Sequence, residues 1–223
     1  MRSPRRKSID RLDSQGTTAL LRAVLEEGNS TAVSDLLARG ADPNATVRFD
    51  RGGTALHPAS SCGKLRYVKL LLEAGANPNL TDNGGDTPLH WACQEGYVNI
   101  IRCLLKAGAD IEAQDCNGFT PLTRAYPLVS HIEPIAELLR QGANPNGKGY
   151  ALHQAAAAGN ISIIKLLTAI PGVDVHQKNK EGQTPLDCCK DRKDLKHAKV
   201  PRNRRKYTDY PAVYEYLIQL GAT

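Results

Sequence analysis

The sequence predicts an all-α fold, a solenoid of about six stacked helix–turn–helix repeats joined by β-hairpin-like loops. The stretch from Gly85 to Glu112, GDTPLHWACQEGYVNIIRCLLKAGADIE, contains one complete repeat. Thr87 and Pro88 predict a helix start, because a threonine hydroxyl caps a free backbone N–H and proline suits the first helical position. Gly96 then ends this short helix, and a second apolar run with helical spacing stops at a further glycine.

The same repeat recurs along the chain. A leucine fills the third place of each Thr-Pro-Leu-like helix start, at intervals of 36, 33, 33, 30 and 34 residues: Leu20, Leu56, Leu89, Leu122, Leu152 and Leu186. The ends of three second helices share the pattern Leu-Leu, Gly-Ala-Asp/Asn and Pro-Asn, at residues 36–44, 71–79 and 138–146. One such helix pair has an apolar face too large to bury alone, so the repeats are expected to stack.

A period near 33 residues with Thr-Pro-Leu-His, a helix-breaking glycine, Leu-Leu and Gly-Ala-Asp/Asn resembles the ankyrin-repeat family. The resemblance covers residues 10–223 and implies six repeats, at about 13–46, 47–81, 82–114, 115–146, 147–178 and 179–223. A basic disordered tail is expected over residues 1–9, and a basic insertion over 190–206 interrupts the last repeat. That repeat is expected to cap the stack.

Irregularities mark individual repeats. The loop from Thr46 to Gly53 is longer than usual and carries Phe49, which is either a contact point or a side chain that folds back. Pro58 lies one position deep in the first helix of repeat two, where we expect it to be tolerated. Pro127 is expected to end the first helix of repeat four early, and the connection at 146–150 is short, so a local change in curvature is expected there.

Composition and charge limit the possible functions. The chain is 41% apolar and 23% charged, typical of a folded globular protein, and no apolar run approaches the ~20 residues that cross a bilayer. Residues 2–8 carry +4 and residues 190–206 carry +7; removing both from the net +6 leaves −5 for the repeats. Nucleic-acid binding by the repeats is therefore not expected. Six cysteines without a C-x-x-C pair predict reduced thiols and a cytoplasmic or nuclear location.

No residue pattern indicates catalysis or a cofactor. His57, His90 and His153 recur in the fourth place of the helix start, a repeat apart, so they are not expected to share a metal ion. The family resemblance implies that each supports the neighbouring hairpin through hydrogen bonds. Neither zinc spacing nor a hydrolase, kinase or nucleotide-binding motif is present, so we expect no metal site, no cofactor and no enzyme activity.

The resemblance implies an extended concave surface, formed by first helices and hairpin tips, that binds a protein partner. The candidate contact residues are Asn83, Asp86, Trp91, Gln94, Glu95, Asn117, Phe119, Arg124 and Gln154. Trp91, Phe119 and Arg124 are of the residue types enriched at interface hot spots. Trp91, however, could instead pack across the neighbouring first helices.

We expect a non-catalytic interaction module (an adaptor, inhibitor or assembly factor) that is a monomer in isolation. The alternative is nucleic-acid or acidic-partner binding through the basic insertion, with Arg192, Lys193, Arg202, Arg204, Arg205 and Lys206 as the contact residues. The same basic run also resembles a bipartite nuclear-import signal, or is a solvated loop.

Overall fold

The computed structural model describes residues 8–26, 30–47, 51–125, 132–190 and 209–222. Within these ranges the chain is helical and contains no strand, which confirms the predicted all-α solenoid. The described residues form twelve α-helices in six consecutive pairs: α1 Ala19–Leu25 and α2 Ser30–Ala38, α3 Leu56–Ser61 and α4 Leu65–Glu73, α5 Pro88–Glu95 and α6 Val98–Lys106, α7 Pro121–Arg124 and α8 Glu133–Arg140, α9 Ala151–Ala157 and α10 Ile161–Thr168, α11 Pro185–Lys190 and α12 Tyr210–Gln219.

The helices lie in two layers. Each first helix packs against its own second helix and against the first helix of the next pair, and most second helices contact the second helix of the next pair. The six leucines at the third place of the helix starts are all buried, at 2% exposure or less. Within the described ranges, none of the helices combines the length and the apolar character that crossing a membrane requires.

The irregular positions have local explanations. Helix α3 runs through Pro58 to Ser61, as expected for a proline in the first turn. Helix α7 is only four residues long and ends at Arg124, while Pro127 lies outside the described residues, as does Phe49. Residues 8 and 9, expected in the disordered tail, belong to a short 3₁₀ helix, Ser8–Asp10, and Ile9 packs against the core.

Side chains in the loops after the second helices connect consecutive repeats. The Asn79 side-chain amide donates to the Gly108 carbonyl (2.9 Å), and its oxygen accepts from the Asp110 N–H (2.7 Å). Asn44 forms the same pair of bonds with Gly75 and Asn77, and Asn146 forms it with Gly172 and Asp174. Each asparagine therefore satisfies backbone groups that its neighbour's helix end leaves open.

The recurrent histidines, which lie on the first helices, also connect consecutive repeats. His90 Nδ1 accepts from the Thr87 N–H (3.1 Å), so Nε2 carries the proton and donates to the Phe119 carbonyl (3.1 Å). His57 does the same with Thr54 (3.0 Å) and Asp86 (3.2 Å). The hydrogen-bonding role expected for these histidines is confirmed.

The turns before the first helices stack directly on one another. The Asn83 N–H donates to the Arg51 carbonyl (3.0 Å), and the Cys116 N–H donates to the Gly84 carbonyl (3.0 Å). Gly85 has φ +78°, and a Cβ there would lie 2.8 Å from the Cys116 backbone nitrogen. Only glycine allows this approach of two turns.

One acidic side chain of the second-helix layer, on α8, is buried. Glu137 on α8 is 2% exposed and accepts from Arg102 on α6 (2.9 Å) and from Gln141 (2.9 Å). These hydrogen bonds, led by the one from Arg102, lower the pKa of Glu137 to about 2. Arg140 completes the ion pairing.

Replacing His90 with alanine is expected to destabilise the fold by about 2–3 kcal/mol, because the buried Thr87 N–H is left without a partner and the Phe119 carbonyl keeps only its bond from the Asp115 N–H. Urea unfolding followed by circular dichroism measures this loss. The control, His176→Ala, changes an exposed side chain and should shift the midpoint little. Equal shifts would contradict the cross-repeat role of His90.

The free energy of unfolding should also decrease as the pH is lowered through the range in which histidine titrates. Burial lowers the pKa of His57 and of His90 below the ordinary value of 6.5, so the unfolded chain binds more protons once the pH falls below about 6.5. We expect the urea midpoint to decrease from about pH 7 to about pH 5.5, a range in which Glu137, with its pKa of about 2, stays ionised. The double variant His57→Gln, His90→Gln should show a smaller decrease of the urea midpoint over this pH range. If the decrease were as large as in the original chain, groups other than these two histidines would be responsible for it.

Candidate functional site

The turns before the first helices use one repeated side-chain arrangement. An aspartate at the start of the turn accepts two backbone N–H groups of that turn, and its second oxygen binds a side chain nine residues later on the first helix. Asp82 accepts from Gly84 (2.8 Å) and Asp86 (3.0 Å) and binds the Trp91 indole N–H (3.1 Å). The pairs Asp13–Arg22 and Asp115–Arg124 repeat the arrangement.

Arg124 is held by two buried carboxylates. Besides pairing with Asp115, its Nε lies 3.1 Å from Asp86 Oδ1, and both aspartate side chains are at most 3% exposed. Arg51 approaches Asp86 from the previous turn (3.6 Å). Burial raises the pKa of Asp86, and the Arg124 charge opposes that rise. The network therefore fixes the Arg124 guanidinium at the surface of the first helices.

Two aromatic side chains lie beside this network. The Arg51 guanidinium lies 5.8 Å from the centre of the Trp91 ring, and the Arg124 guanidinium lies 5.2 Å from the centre of the Phe119 ring. The Trp91 ring also meets His57 edge-on at 6.1 Å. Trp91 and Phe119 are half-buried, so each packs against its neighbours and leaves part of its surface exposed to solvent. The packing of Trp91 against a neighbouring first helix is thus observed, and its contact with a partner stays a prediction.

The remaining predicted contact residues divide by exposure. Asn83, Asn117 and Glu95 are exposed, the first two at turn tips and the third at the end of α5, while Gln94 is half-buried. Asp86 was expected at the contact surface but is 2% exposed. It is buried because its carboxylate binds Arg124 and its carbonyl accepts from His57, so it supports the surface without forming it.

Asn117, Phe119 and Gln154 line a groove of about 270 Å³ that runs along repeats four to six. Its other polar lining residues are Lys148, Tyr150, His153, Asn179, Lys180, Glu181 and Cys188. Tyr150 has φ +52°, a left-handed conformation that is strained for a tyrosine. The structure therefore brings three of the predicted residues together around a surface depression.

The six predicted basic-insertion residues (Arg192, Lys193, Arg202, Arg204, Arg205 and Lys206) lie outside the described residues. Lys190, at the near end of the insertion, pairs with Asp187 (2.8 Å). No group of histidine, cysteine and acidic side chains in the described ranges is arranged to hold a metal ion.

Sequence reasoning missed Asp82, Asp115 and Arg51, which fix the aromatic and cationic side chains. A usable signal was present: an aspartate nine residues before Arg22, Trp91 and Arg124 in three repeats. The position of Arg51, by contrast, depends on how neighbouring turns stack, which the spacing does not give.

Comparison with protein families agrees with this architecture. A family model for ankyrin repeats in three copies matches residues 20–115 and 56–149, and a model for a single ankyrin repeat matches residues 150–180. The crystal structure of the ankyrin repeat domain of Bcl-3, a member of the IkappaB protein family, superposes with a TM-score of 0.73 at 31% identity. The match covers 82% of each chain.

Curated relatives share segments of this chain. Human protein phosphatase 1 regulatory subunit 27 is 46% identical over 80 residues, which are 35% of this chain and 40% of that protein. The palmitoyltransferase ZDHHC17 of Danio rerio is 43% identical over 176 residues, which are 75% of this chain and 28% of that enzyme. The match to the Drosophila melanogaster neurogenic locus Notch protein covers 26% of this chain and 2% of that protein. The chain thus spans less than half the length of these relatives.

Arg124→Ala should lower the free energy of unfolding by about 3 kcal/mol, because Asp115 would stay buried without a cation and Asp86 would keep only the more distant Arg51 (3.6 Å). Arg22→Ala is the matched control, since Arg22 occupies the same place in repeat one but its pair with Asp13 is exposed (56% and 25% of the side chains). Urea unfolding should show a large loss for the first variant and a small one for the second. Equal losses would mean that Arg124 has no special structural role.

Proposed function

Because the chain belongs to the ankyrin-repeat family, we propose that it is a non-catalytic protein-binding module, an adaptor, inhibitor or assembly factor, whose partner contacts one face of the stack. That face, called here the first-helix face, consists of the exposed parts of the first helices and of the turns before them. The observation that carries the proposal is the pair of arginine–aromatic contacts, Arg51 with Trp91 and Arg124 with Phe119, fixed by buried aspartates.

Such fixed side chains favour binding for a physical reason. Association loses part of its free energy when mobile side chains are ordered at the interface, and the Asp82 and Asp115 contacts order Trp91 and Arg124 beforehand. Tryptophan and arginine also dominate measured hot spots when they are surrounded by residues that exclude water. Trp91 and Arg124 are half-buried here, and the exposed Asn83 and Asn117 lie at the tips of the turns before their helices, which is compatible with a hot spot.

The relatives support a regulatory role. One is named as a regulatory subunit of protein phosphatase 1, and the structural neighbour is named as a member of the IkappaB family. A third relative is a palmitoyltransferase, of which this chain matches 28%. We assign no catalytic step to the residues of this chain.

The test is site-specific photo-cross-linking in cell extract. A photoreactive phenylalanine replaces Asn83, Gln94 or Asn117 on the first-helix face, or the exposed Asn99 or Lys106 on α6 as matched controls. We expect a protein adduct from the first set and little from the second. Phe119→Ala should reduce the adduct at Asn117 about tenfold or more, in keeping with the loss of one hot-spot side chain.

Two outcomes would contradict the proposal. Equal adducts from both sets would mean that the first-helix face has no preference for the partner. Loss of the captured partner only when Arg202, Arg204, Arg205 and Lys206 become glutamine would favour the basic insertion, whose residues 190–206 carry +7. In that case capture should also weaken steeply with salt and, for a nucleic acid, be sensitive to nuclease. Thermal melts of each variant exclude unfolding as the cause.

A further inference from the structure

The groove in repeats four to six contains a buried hydrogen-bonding atom without a partner. His153 is 3% exposed and lines the groove, and its Nδ1 has no hydrogen bond within the described part of the chain. Buried acceptors are almost always paired, because an unmade hydrogen bond costs about 1–3 kcal/mol. The Nδ1 atom is itself buried, and a donor from outside the chain would have to reach it from the groove that the His153 side chain lines.

The other repeats show what is missing. His57 and His90 direct Nδ1 at the backbone N–H of a threonine three residues earlier. In repeat five that residue is Tyr150, and its N–H donates instead to the Gly147 carbonyl (3.0 Å). The short connection brings Tyr150 into its left-handed conformation, with its ring edge-on to His153 at 5.4 Å. Repeat five therefore has the same histidine as repeats two and three but lacks the backbone N–H that donates to Nδ1 in them.

The bonding of the ring determines what could bind. His153 Nε2 donates to the Gln183 carbonyl (2.9 Å), which leaves Nδ1 as an acceptor with a free lone pair. Burial lowers the pKa of His153 below the ordinary 6.5, so the ring is neutral at neutral pH. A fully ionised phosphate or a carboxylate offers no proton to this atom. An N–H or a hydroxyl group does, and in repeats two and three a threonine hydroxyl lies 3.2 and 2.9 Å from the equivalent histidine atom.

The charged side chains around the groove further limit the kinds of ligand that could bind. Lys148 and Lys180 are exposed lining residues, and Glu181 is the one acidic side chain among the lining residues that the structure describes. Two cations near a neutral acceptor favour a segment in which a hydroxyl-bearing residue stands next to a carboxylate. The groove volume of about 270 Å³ suits side chains of a peptide segment better than a large cofactor.

We propose that this groove binds an extended segment of a protein partner through a serine, threonine or tyrosine hydroxyl that donates to His153 Nδ1, next to an acidic residue that pairs with Lys148 or Lys180. The inference rests on the proposed protein-binding function and names the chemistry of one subsite on the first-helix face. Phosphorylation of that hydroxyl would remove the donated proton and prevent binding.

The test begins with selection from a random peptide display library on the full chain. Enriched peptides should contain a hydroxyl residue adjacent to aspartate or glutamate. The most enriched peptide is then synthesised with its alanine and phosphorylated versions as probes. Both replacements should weaken binding about tenfold or more, as expected for loss of one hydrogen bond to a buried acceptor. The double variant Lys148→Gln, Lys180→Gln should weaken binding without affecting folding, since both side chains are exposed.

Ring-nitrogen NMR gives a readout that a purely structural histidine would not change. On addition of the peptide, the Nδ1 resonance of His153 should move towards that of a hydrogen-bonded acceptor, and those of His57 and His90 should stay in place. His153→Phe should abolish binding of the peptide, whereas His57→Phe, in the same place of repeat two, should not; thermal melts verify that both fold.

Three results would overturn this inference: selected peptides without a hydroxyl, binding unaffected by the alanine replacement, or an Nδ1 resonance that does not move at saturation. If cross-linking at Asn83 and Gln94 still captures a protein, only the subsite proposal fails. If no adduct forms there either, the proposed function fails with it.

Discussion

The stack depends on hydrogen bonds that one repeat donates to, or accepts from, the backbone of the next. A short helix pair exposes both an apolar face and unpaired groups at its helix ends, and neither can be satisfied within the repeat. Apolar packing of residues such as Leu56 and Leu89 brings neighbours together but is not directional. The asparagines at 44, 79 and 146 and the histidines at 57 and 90 add direction, because each fits only one position of the next repeat.

Single side chains with two roles also determine the structure of the surface. Asp82 and Asp115 use one carboxylate oxygen to hold their own turn and the other to orient a side chain on the following helix. Orientation of Trp91 and Arg124 is therefore a by-product of turn formation. A repeat can change its first-helix side chain from tryptophan to arginine while the aspartate and the turn stay the same, which separates the identity of the surface from the stability of the scaffold.

Periodic features of the sequence predicted the fold because burial follows them directly. The leucine at the third place of each helix start is buried in all six repeats, and Gly96 ends α5 in a left-handed conformation as expected. The surface was less predictable. Asp86 is a charged residue in a turn and was therefore expected at the contact surface. It is buried by an arginine of the next repeat, 38 residues away, which the local pattern does not indicate. Contacts between repeats depend on the rotation from one repeat to the next, which the sequence pattern does not specify.

Repeat five departs from the repeat pattern, and this departure indicates where a partner could bind. In repeat three the helix start, the turn and the histidine agree with the fold, and both ring nitrogens of His90 are hydrogen-bonded. Repeat five differs because its connection is too short for the usual threonine, so Tyr150 adopts φ +52° and His153 keeps only one of its two hydrogen bonds. Both features cost free energy, and neither is needed for stacking, since the bond from His153 to the Gln183 carbonyl is intact. The short connection explains both the conformation of Tyr150 and the missing internal donor, and a donor from a partner in the groove would complete the hydrogen bonding of His153.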